Sequence, residues 1–154
     1  MQAGVPAAMR SAGYMLRSGG GVPVDKKQAA EWYLKAAQSG ELWVMNDLGL
    51  MYQRGQGLPV NPVQAARWFR RAAVWYDRGA QAGDPTAMYS LGRLARDGRG
   101  LPHDERVATR WFKQAAENGQ RDAMLELTRR YERGLGVPQD SAQAQAWRVR
   151  AATN

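Results

Sequence analysis

The stretch GQGLPVN at residues 55–61 is one of four copies of the phrase Gly-x-Gly-Val/Leu-Pro-x-Asp/Asn in this chain of 154 residues. The copies are offset by 36, 43 and 36 residues, and a tryptophan follows each leading glycine after 13 residues. Four matches at one internal spacing indicate tandem structural repeats. The leading glycines are Gly19, Gly55, Gly98 and Gly134, and the tryptophans are Trp32, Trp68, Trp111 and Trp147.

The sequence on both sides of each phrase has the periodicity of an α-helix. Apolar or small residues recur ten, seven, six and three positions before the leading glycine, which places them on one face of a helix that we call helix A. After the phrase, alanines and the tryptophan recur over roughly four turns and predict a second helix, helix B. We therefore predict an all-α fold of four helical hairpins in one domain, 1–154. The repeats cover about 4–40, 41–83, 84–119 and 120–154.

The joint between helix A and helix B contains the residues that such a turn needs. The leading glycine can adopt the left-handed conformation that ends a helix, and the proline prevents helix A from continuing. The final Asp or Asn is placed to cap helix B, and a glutamine three residues later predicts a capping box in three repeats. The caps are Asp25, Asn61, Asp104 and Asp140, and the glutamines are Gln28, Gln64 and Gln143.

A glycine lies inside helix A of the first three repeats, at Gly13, Gly49 and Gly92. Glycine costs about 1 kcal/mol relative to alanine in a helix interior, so it needs a packing reason. We expect that it lets helix B approach closely, so that the bulky tryptophan and tyrosine of the facing helix are buried there. In the fourth repeat Thr128 replaces this glycine and Arg148 replaces the aromatic residue after the tryptophan, as expected for the more polar end of a repeat array.

The second repeat carries the fullest version of a known pattern. It reads Val44-x-x-x-Leu48-Gly49-x-x-Tyr52-x-x-Gly55-x-Gly57-Leu58-x-x-Asn61, then Ala65-x-x-Trp68-Phe69-x-x-Ala72-Ala73. This resembles the Sel1-like repeat, a relative of the tetratricopeptide repeat. The resemblance implies a right-handed α/α solenoid superhelix whose A helices line a concave surface. It also implies a protein that acts as an adaptor or inhibitor by binding another protein. Residues 1–4 resemble the end of a preceding helix B, and the sequence leaves open whether the chain is part of a longer array.

Helix B of the second repeat is predicted to be longer than the others. Its closing glycine follows the leading glycine by 28 residues, compared with 21 in the first and third repeats. Seven residues are two turns, so the helix gains roughly 10 Å and returns to nearly the same face. Trp75 and Tyr76 then either protrude as an aromatic platform for a partner or pack against the rest of the protein. The sequence favours packing, because aromatic residues at helical spacing usually belong to a core.

The composition argues against an enzyme. The chain has no cysteine, and its one histidine, His103, occupies a joint position that is Val24, Val60 or Gln139 in the other repeats. Thiolate chemistry, disulfides and a histidine metal cluster are therefore excluded. No carboxylate pair recurs with a pocket implied around it. We expect no catalysis, no cofactor, no metal and no small-molecule substrate.

The formal charge of +8 raises the question of a nucleic-acid partner. Counted by repeat, the excess is +3, +2, +1 and +2, which is too evenly spread to favour a phosphate track. No apolar stretch is long enough to span a membrane. The sequence fits a cytoplasmic protein, or a periplasmic or secreted one if a leader has been removed, and it leaves the oligomeric state open.

A second stripe on helix A, beside its apolar face, varies from repeat to repeat while staying rich in arginine and aromatic residues, as interfaces are. We predict that it binds another protein with an acidic surface or peptide and that the chain is an adaptor or scaffold. The alternatives are an immunity protein that neutralises a secreted bacterial toxin and an RNA-binding helical repeat. The predicted contact residues, called the A-helix stripe below, are Arg10, Tyr14, Arg17, Trp43, Asn46, Gln53, Tyr89, Arg93, Arg96 and Arg129.

Overall fold

A computed structural model describes residues 4–153, and this part of the chain folds into eight α-helices without a β-strand. The predicted all-α fold class is therefore confirmed. The resemblance of the first residues to the end of a helix B falls on residues 1–3, outside the described part, and on Gly4, which begins the first helix. The helices are α1 (Gly4–Ser18), α2 (Lys26–Gln38), α3 (Met45–Arg54), α4 (Pro62–Gln81), α5 (Pro85–Asp97), α6 (Glu105–Glu117), α7 (Arg121–Arg133) and α8 (Ser141–Thr153).

The helices alternate as predicted, with α1, α3, α5 and α7 as A helices and α2, α4, α6 and α8 as B helices. The chain divides into two compact units, Met1–Ala72 and Ala73–Asn154, with the boundary inside α4. In the first unit α2 packs against α1 and α3. In the second unit α6 packs against α5 and α7, and α7 packs against α8. Each unit is thus built from stacked hairpins.

The joint at residues 55–61 shows how each A helix is closed and each B helix opened. Gly55 has φ 66°, the left-handed conformation that a glycine adopts most easily, and ends α3. The Asn61 amide donates to the Tyr52 carbonyl at 2.9 Å, while its side-chain oxygen accepts from the Gln64 amide at 3.0 Å. The same two kinds of bond recur at the other three caps, Asp25, Asp104 and Asp140.

This geometry corrects the prediction of a capping box. In a capping box the glutamine side chain accepts from the amide of the cap residue. Here each cap amide already donates to a carbonyl near the end of helix A, and no glutamine side chain bonds to it in the described residues. The cap therefore ties helix B to helix A as well as starting helix B.

The second glycine of the joint lets neighbouring repeats stack. A Cβ atom placed on Gly57 would lie 1.9 Å from the Lys26 carbonyl oxygen, at the start of α2. A Cβ atom on Gly136 would lie 2.1 Å from the Glu105 carbonyl oxygen, at the start of α6. Only glycine fits at these distances, so the second and fourth joints each dock against helix B of the preceding repeat in their unit.

The glycine inside helix A faces the residue after the repeat tryptophan, not the tryptophan itself. A Cβ atom on Gly49 would lie 2.5 Å from the ring of Phe69, and Gly13 and Gly92 face Tyr33 and Phe112 in the same way. These three aromatic residues are almost completely buried. The prediction of burial is confirmed for Tyr33, but it was wrong about the tryptophans, because Trp32, Trp68 and Trp111 are partly exposed.

The fourth repeat departs from this arrangement. Trp147 is buried at 8% exposure, and Arg148, in the place of the aromatic residue, is exposed and pairs with Glu132. Thr128, in the place of the glycine, does not provide the polar outer face that the sequence suggested. It is buried, and its hydroxyl donates to the Met124 carbonyl at 3.1 Å.

The prediction of a longer helix B in the second repeat is confirmed. Helix α4 has 20 residues, whereas α2, α6 and α8 have 13 each. The difference of seven residues is two helical turns. Within the part of the chain that the structure describes, even this helix is not apolar enough to cross a membrane.

Candidate interaction surface

The A-helix stripe lies at the protein surface in both units, and all ten of its residues are at least partly exposed. Nine of them lie on the predicted A helices α1, α3, α5 and α7. Trp43 is the exception, because it belongs to a short 3-10 helix, Leu42–Val44, that leads into α3. The stripe therefore consists of solvent-accessible side chains on a helical framework.

In the first unit, stripe arginines of α1 pair with carboxylates of the next repeat. Arg17 lies 2.6 Å from Asp47, and Arg10 lies 3.5 Å from Glu41. Burial lowers the pKa of Arg17, but Asp47, Tyr33 and Tyr14 together more than offset this and leave the pKa above its ordinary value. The guanidinium also lies 5.6 Å from the ring centroid of Tyr14 and 5.7 Å from that of Tyr33. These contacts hold Tyr14 beside a fixed charge pair.

A depression of about 320 Å³ opens on this face of the first unit. Its lining combines two stripe residues, one paired carboxylate and a buried aromatic ring. Tyr14 is 56% exposed and Met15 is 43% exposed, so apolar surface is accessible beside the charged groups. The lining residues are Arg10, Ser11, Tyr14, Met15, Tyr33 and Asp47.

The second unit repeats the same arrangement on α5 and α7. Arg96 lies 3.3 Å from Glu126 on α7 and 2.7 Å from Asp97, and Arg129 lies 3.0 Å from Glu126. Burial alone would raise the pKa of Asp97, but its hydrogen bond from Arg96 and nearby arginines bring the pKa below the ordinary value. The pair Arg96–Glu126 again links the A helices of two repeats, while the other two pairs lie within α5 and within α7.

Aromatic contacts extend this arrangement in the second unit. The guanidinium of Arg93 lies 5.9 Å from the ring centroid of Tyr89. The Tyr89 ring lies 5.6 Å from the ring of buried Phe112. Burial raises the pKa of Tyr89 above its ordinary value, and Arg93 opposes this in part. Tyr89 therefore connects the stripe to the core, and Arg93 remains exposed.

The sequence analysis missed the carboxylates that pair with the stripe. Arg17 and Arg96 stand two residues before the leading glycine, and Asp47 and Glu126 stand eight residues before the leading glycine of the next repeat. Both pairs are 30 residues apart. The signal was present in the sequence, as opposite charges at fixed positions of successive repeats.

A buried arginine was also missed. Arg130 on α7 is 1% exposed, and its Nη1 donates to Glu105 Oε2 at 2.7 Å and to Thr109 Oγ1 at 2.9 Å. Its guanidinium lies 4.8 Å from the ring centroid of Phe112. The corresponding position in the second repeat is Met51, so periodicity predicts an apolar residue there. The pairing with Glu105 makes a buried charge tolerable at this position.

For Trp75 and Tyr76 the sequence favoured packing over a protruding aromatic platform, and Tyr76 does not protrude. Tyr76 is only 6% exposed, and Trp75 is partly exposed with its ring centroid 5.2 Å from that of Tyr76. The favoured prediction, that this pair packs, agrees with the structure for Tyr76. The reason is the helical period, which returns the inserted segment to the buried face of α4.

The one histidine of the chain lies in the joint between α5 and α6. His103 is exposed, and its Nδ1 lies 2.6 Å from the Arg96 carbonyl oxygen at the end of α5. This is a local contact of the joint. The described part of the chain also contains no cluster of three or more potential metal ligands.

Fold and surface together define a tandem helical-hairpin repeat protein with an arginine- and aromatic-rich face on its A helices. The sequence profile of the Sel1 repeat matches residues 6–41, 44–73, 85–120 and 121–154. The chain belongs to the Sel1 repeat family. These four matches agree with the four hairpins predicted from the sequence.

Two solved structures are similar to nearly the whole chain. A Sel1 repeat protein from Oxalobacter formigenes is 35% identical, with a TM-score of 0.73, over 96% of this chain and 58% of its own. The protective antigen c5321 of uropathogenic Escherichia coli, which has an SLR fold, is 31% identical, with a TM-score of 0.68, over 99% of this chain and 31% of its own. These similarities confirm the predicted repeat-solenoid class. A comparison with curated protein sequences gave no significant match.

The chain spans less than two thirds of the length of both of these relatives. Sel1 repeat proteins are in general non-catalytic scaffolds for protein interactions.

Proposed function

We propose that this chain is a non-catalytic adaptor that binds a partner protein through the A-helix stripe. The observation that carries the proposal is the pairing of stripe arginines with carboxylates of the next repeat, beside exposed aromatic side chains. Arg17 with Asp47 and Arg96 with Glu126 hold the two A helices of each unit in register. Tyr14 and Tyr89 lie directly beside these pairs.

This arrangement suits binding because its side chains are ordered before a partner arrives. Ordering a long side chain on association costs about 0.5–1.5 kcal/mol, and an arginine already held by a carboxylate avoids part of that cost. Tyrosine and arginine are also enriched among the residues that dominate binding energy. The depression lined by Tyr14 and Met15 offers a place for an apolar side chain of the partner.

Affinity capture with the purified chain tests the proposal, with variants that separate the stripe from the rest of the surface. We expect a partner held by the wild type to be lost from a Tyr14→Ala/Tyr89→Ala double variant and weakened by Arg93→Ala. Arg110→Ala is the matched control for Arg93→Ala, because Arg110 is an exposed arginine on a B helix and should leave binding unchanged. A partner that binds all of these variants equally contradicts the proposal.

The same experiment separates the alternative functions. An adaptor is expected to capture several different partners, which compete with one another for binding. An immunity protein would instead capture a single toxin at a fixed stoichiometry. An RNA-binding repeat would lose its ligand steeply as salt rises, with a slope set by the number of phosphates contacted. Capture at two salt concentrations, followed by nuclease treatment, distinguishes these outcomes.

A further inference from the structure

The positive charge of the chain is concentrated on the B helices. Helices α2, α4, α6 and α8 contain 12 Lys and Arg and four Asp and Glu, so they carry the whole formal charge of +8. The rest of the chain contains ten residues of each sign. Counting by repeat had concealed this, because each repeat combines one helix of each kind. An acidic partner is therefore attracted to the B helices more than to the A-helix stripe.

The first unit contains the densest part of this charge. Six cations on α2 and the first half of α4 are exposed, and Glu31 is the one carboxylate on these stretches. Within the part of the chain that the structure describes, none of the six has a salt bridge, whereas Arg10 and Arg17 of the stripe both do. We call the six residues the basic patch: Lys26, Lys27, Lys35, Arg67, Arg70 and Arg71.

Packing brings the two parts of the basic patch onto one folded body. Gly57, in the joint that leads into α4, lies against the Lys26 carbonyl at the start of α2, and Trp68 on α4 packs against the buried core to which α2 and α3 contribute. Lys35 covers the ring of Trp32 at 5.1 Å, and Arg71 covers the ring of Trp68 at 5.1 Å. The basic patch therefore lies on the folded surface of the first unit, and two of its cations are held in place by contacts with indole rings.

Apolar groups lie among these charges. Val63 precedes Arg67 by one helical turn and is 67% exposed. Trp32 and Trp68 are partly exposed beneath the cations that cover them. A ligand for this surface can therefore gain from carboxylates and from apolar side chains together.

We propose that the basic patch is a second docking surface, which binds an acidic, apolar-containing segment of a protein. Arginine and tryptophan are enriched in protein interfaces, and the unpaired cations complement carboxylates. Single-stranded nucleic acid would stack its bases on open aromatic rings, whereas Trp32 and Trp68 are only partly exposed and are covered by Lys35 and Arg71. Membrane insertion would need a larger exposed apolar side chain than Val63. The basic patch shares no residue with the A-helix stripe, so the two surfaces can be tested separately.

Fluorescence anisotropy with a labelled peptide of alternating Glu and Leu tests this directly. We expect saturable binding at about 0.15 M salt that weakens at about 0.5 M salt. The variant Arg67→Glu/Arg70→Glu should weaken binding at least about tenfold, since it reverses two charges at the patch. The control Arg106→Glu/Arg110→Glu makes the same change of net charge on α6, in the other unit, and should change binding by less than about twofold.

Each outcome supports or overturns the proposal. Equal losses in the two charge-reversal variants would show attraction to net charge alone and overturn it. So would the absence of saturable peptide binding, or tighter binding of a single-stranded RNA or of phosphatidylglycerol vesicles with the same dependence on Arg67 and Arg70. Tyr14→Ala/Tyr89→Ala should bind the peptide normally, so failure of the stripe and failure of the patch are distinguishable.

Discussion

Arg17 donates a hydrogen bond of 2.6 Å to Asp47, which follows it by 30 residues and lies on the A helix of the next repeat. Arg96 and Glu126 repeat this relationship in the second unit with the same separation. A charge pair at a constant offset links adjacent A helices without using the apolar core. It also holds the surface that we propose as the binding site.

The Arg17–Asp47 pair should contribute modestly to stability. Both side chains are about one-third exposed, so water and salt screen the attraction. In a double-mutant cycle of Arg17→Ala and Asp47→Ala, we expect a coupling of about 0.5 kcal/mol in urea unfolding, decreasing with salt. A coupling above about 2 kcal/mol, or one that salt leaves unchanged, would contradict this account.

Replacing the glycine inside helix A should destabilise the protein although alanine is the better helix former. A Cβ atom on Gly92 would lie 2.7 Å from the ring of Phe112. We expect Gly92→Ala to lower the free energy of unfolding by about 1–3 kcal/mol through overpacking. Gly20→Ala is the control, because its nearest neighbour would be a serine hydroxyl at 3.5 Å, and it should change stability by less than about 0.5 kcal/mol.

The smaller side chain of Phe112→Leu should relieve that clash. Combined with Gly92→Ala, it is expected to destabilise less than the sum of the two single changes, measured by urea unfolding. If the two changes in the free energy of unfolding were strictly additive, Gly92 would not be needed to accommodate the ring of Phe112.

The raised pKa of Tyr33 predicts that the protein loses stability at high pH. Burial raises its pKa to about 12, with partial opposition from Arg17. Since the unfolded pKa is about 10, the stability from neutral Tyr33 is complete below pH 10 and is lost as pH rises toward 12. The loss at pH 12 should reach about 2–3 kcal/mol relative to Tyr33→Phe, which lacks the titrating group. Parallel stability curves for the two proteins between pH 9 and pH 12 would contradict this assignment.

Removing Glu105 alone should destabilise the protein more than replacing both Glu105 and the buried Arg130 with uncharged residues. Glu105→Ala leaves the guanidinium buried with only neutral acceptors, and we expect a cost of about 1–3 kcal/mol. Adding Arg130→Met, which restores the apolar residue found at Met51, should recover at least half of that loss. Thermal and urea unfolding measure both variants, and a double variant less stable than Glu105→Ala would show that the charge itself stabilises the fold.

Much of the fold could be predicted because the joint is encoded locally. The glycine, the proline and the cap residue each act on neighbouring backbone, so their effects can be derived from residues 55–61 alone. The length of α4 could also be derived, since seven residues return a helix to nearly the same face. The same rule predicts that Tyr76 is buried, as it is.

Other features could not be predicted without knowing how the helices pack. Trp68 and Phe69 are adjacent on one helix, and periodicity alone does not decide which ring faces Gly49. Arg130 occupies a position where the repeat pattern predicts an apolar residue, and its partner Glu105 is 25 residues away. The distribution of charge was readable in the sequence, but only when it was counted by helix.

Photo-crosslinking tests the central claim, that a partner protein binds the A-helix stripe, most directly. A benzophenone amino acid is placed at Tyr14, at Tyr89 or at Val149, the last being 52% exposed on α8. We predict covalent adducts with the captured partner from positions 14 and 89 and none from position 149. Adducts from position 149 without adducts from the two stripe positions would contradict the account.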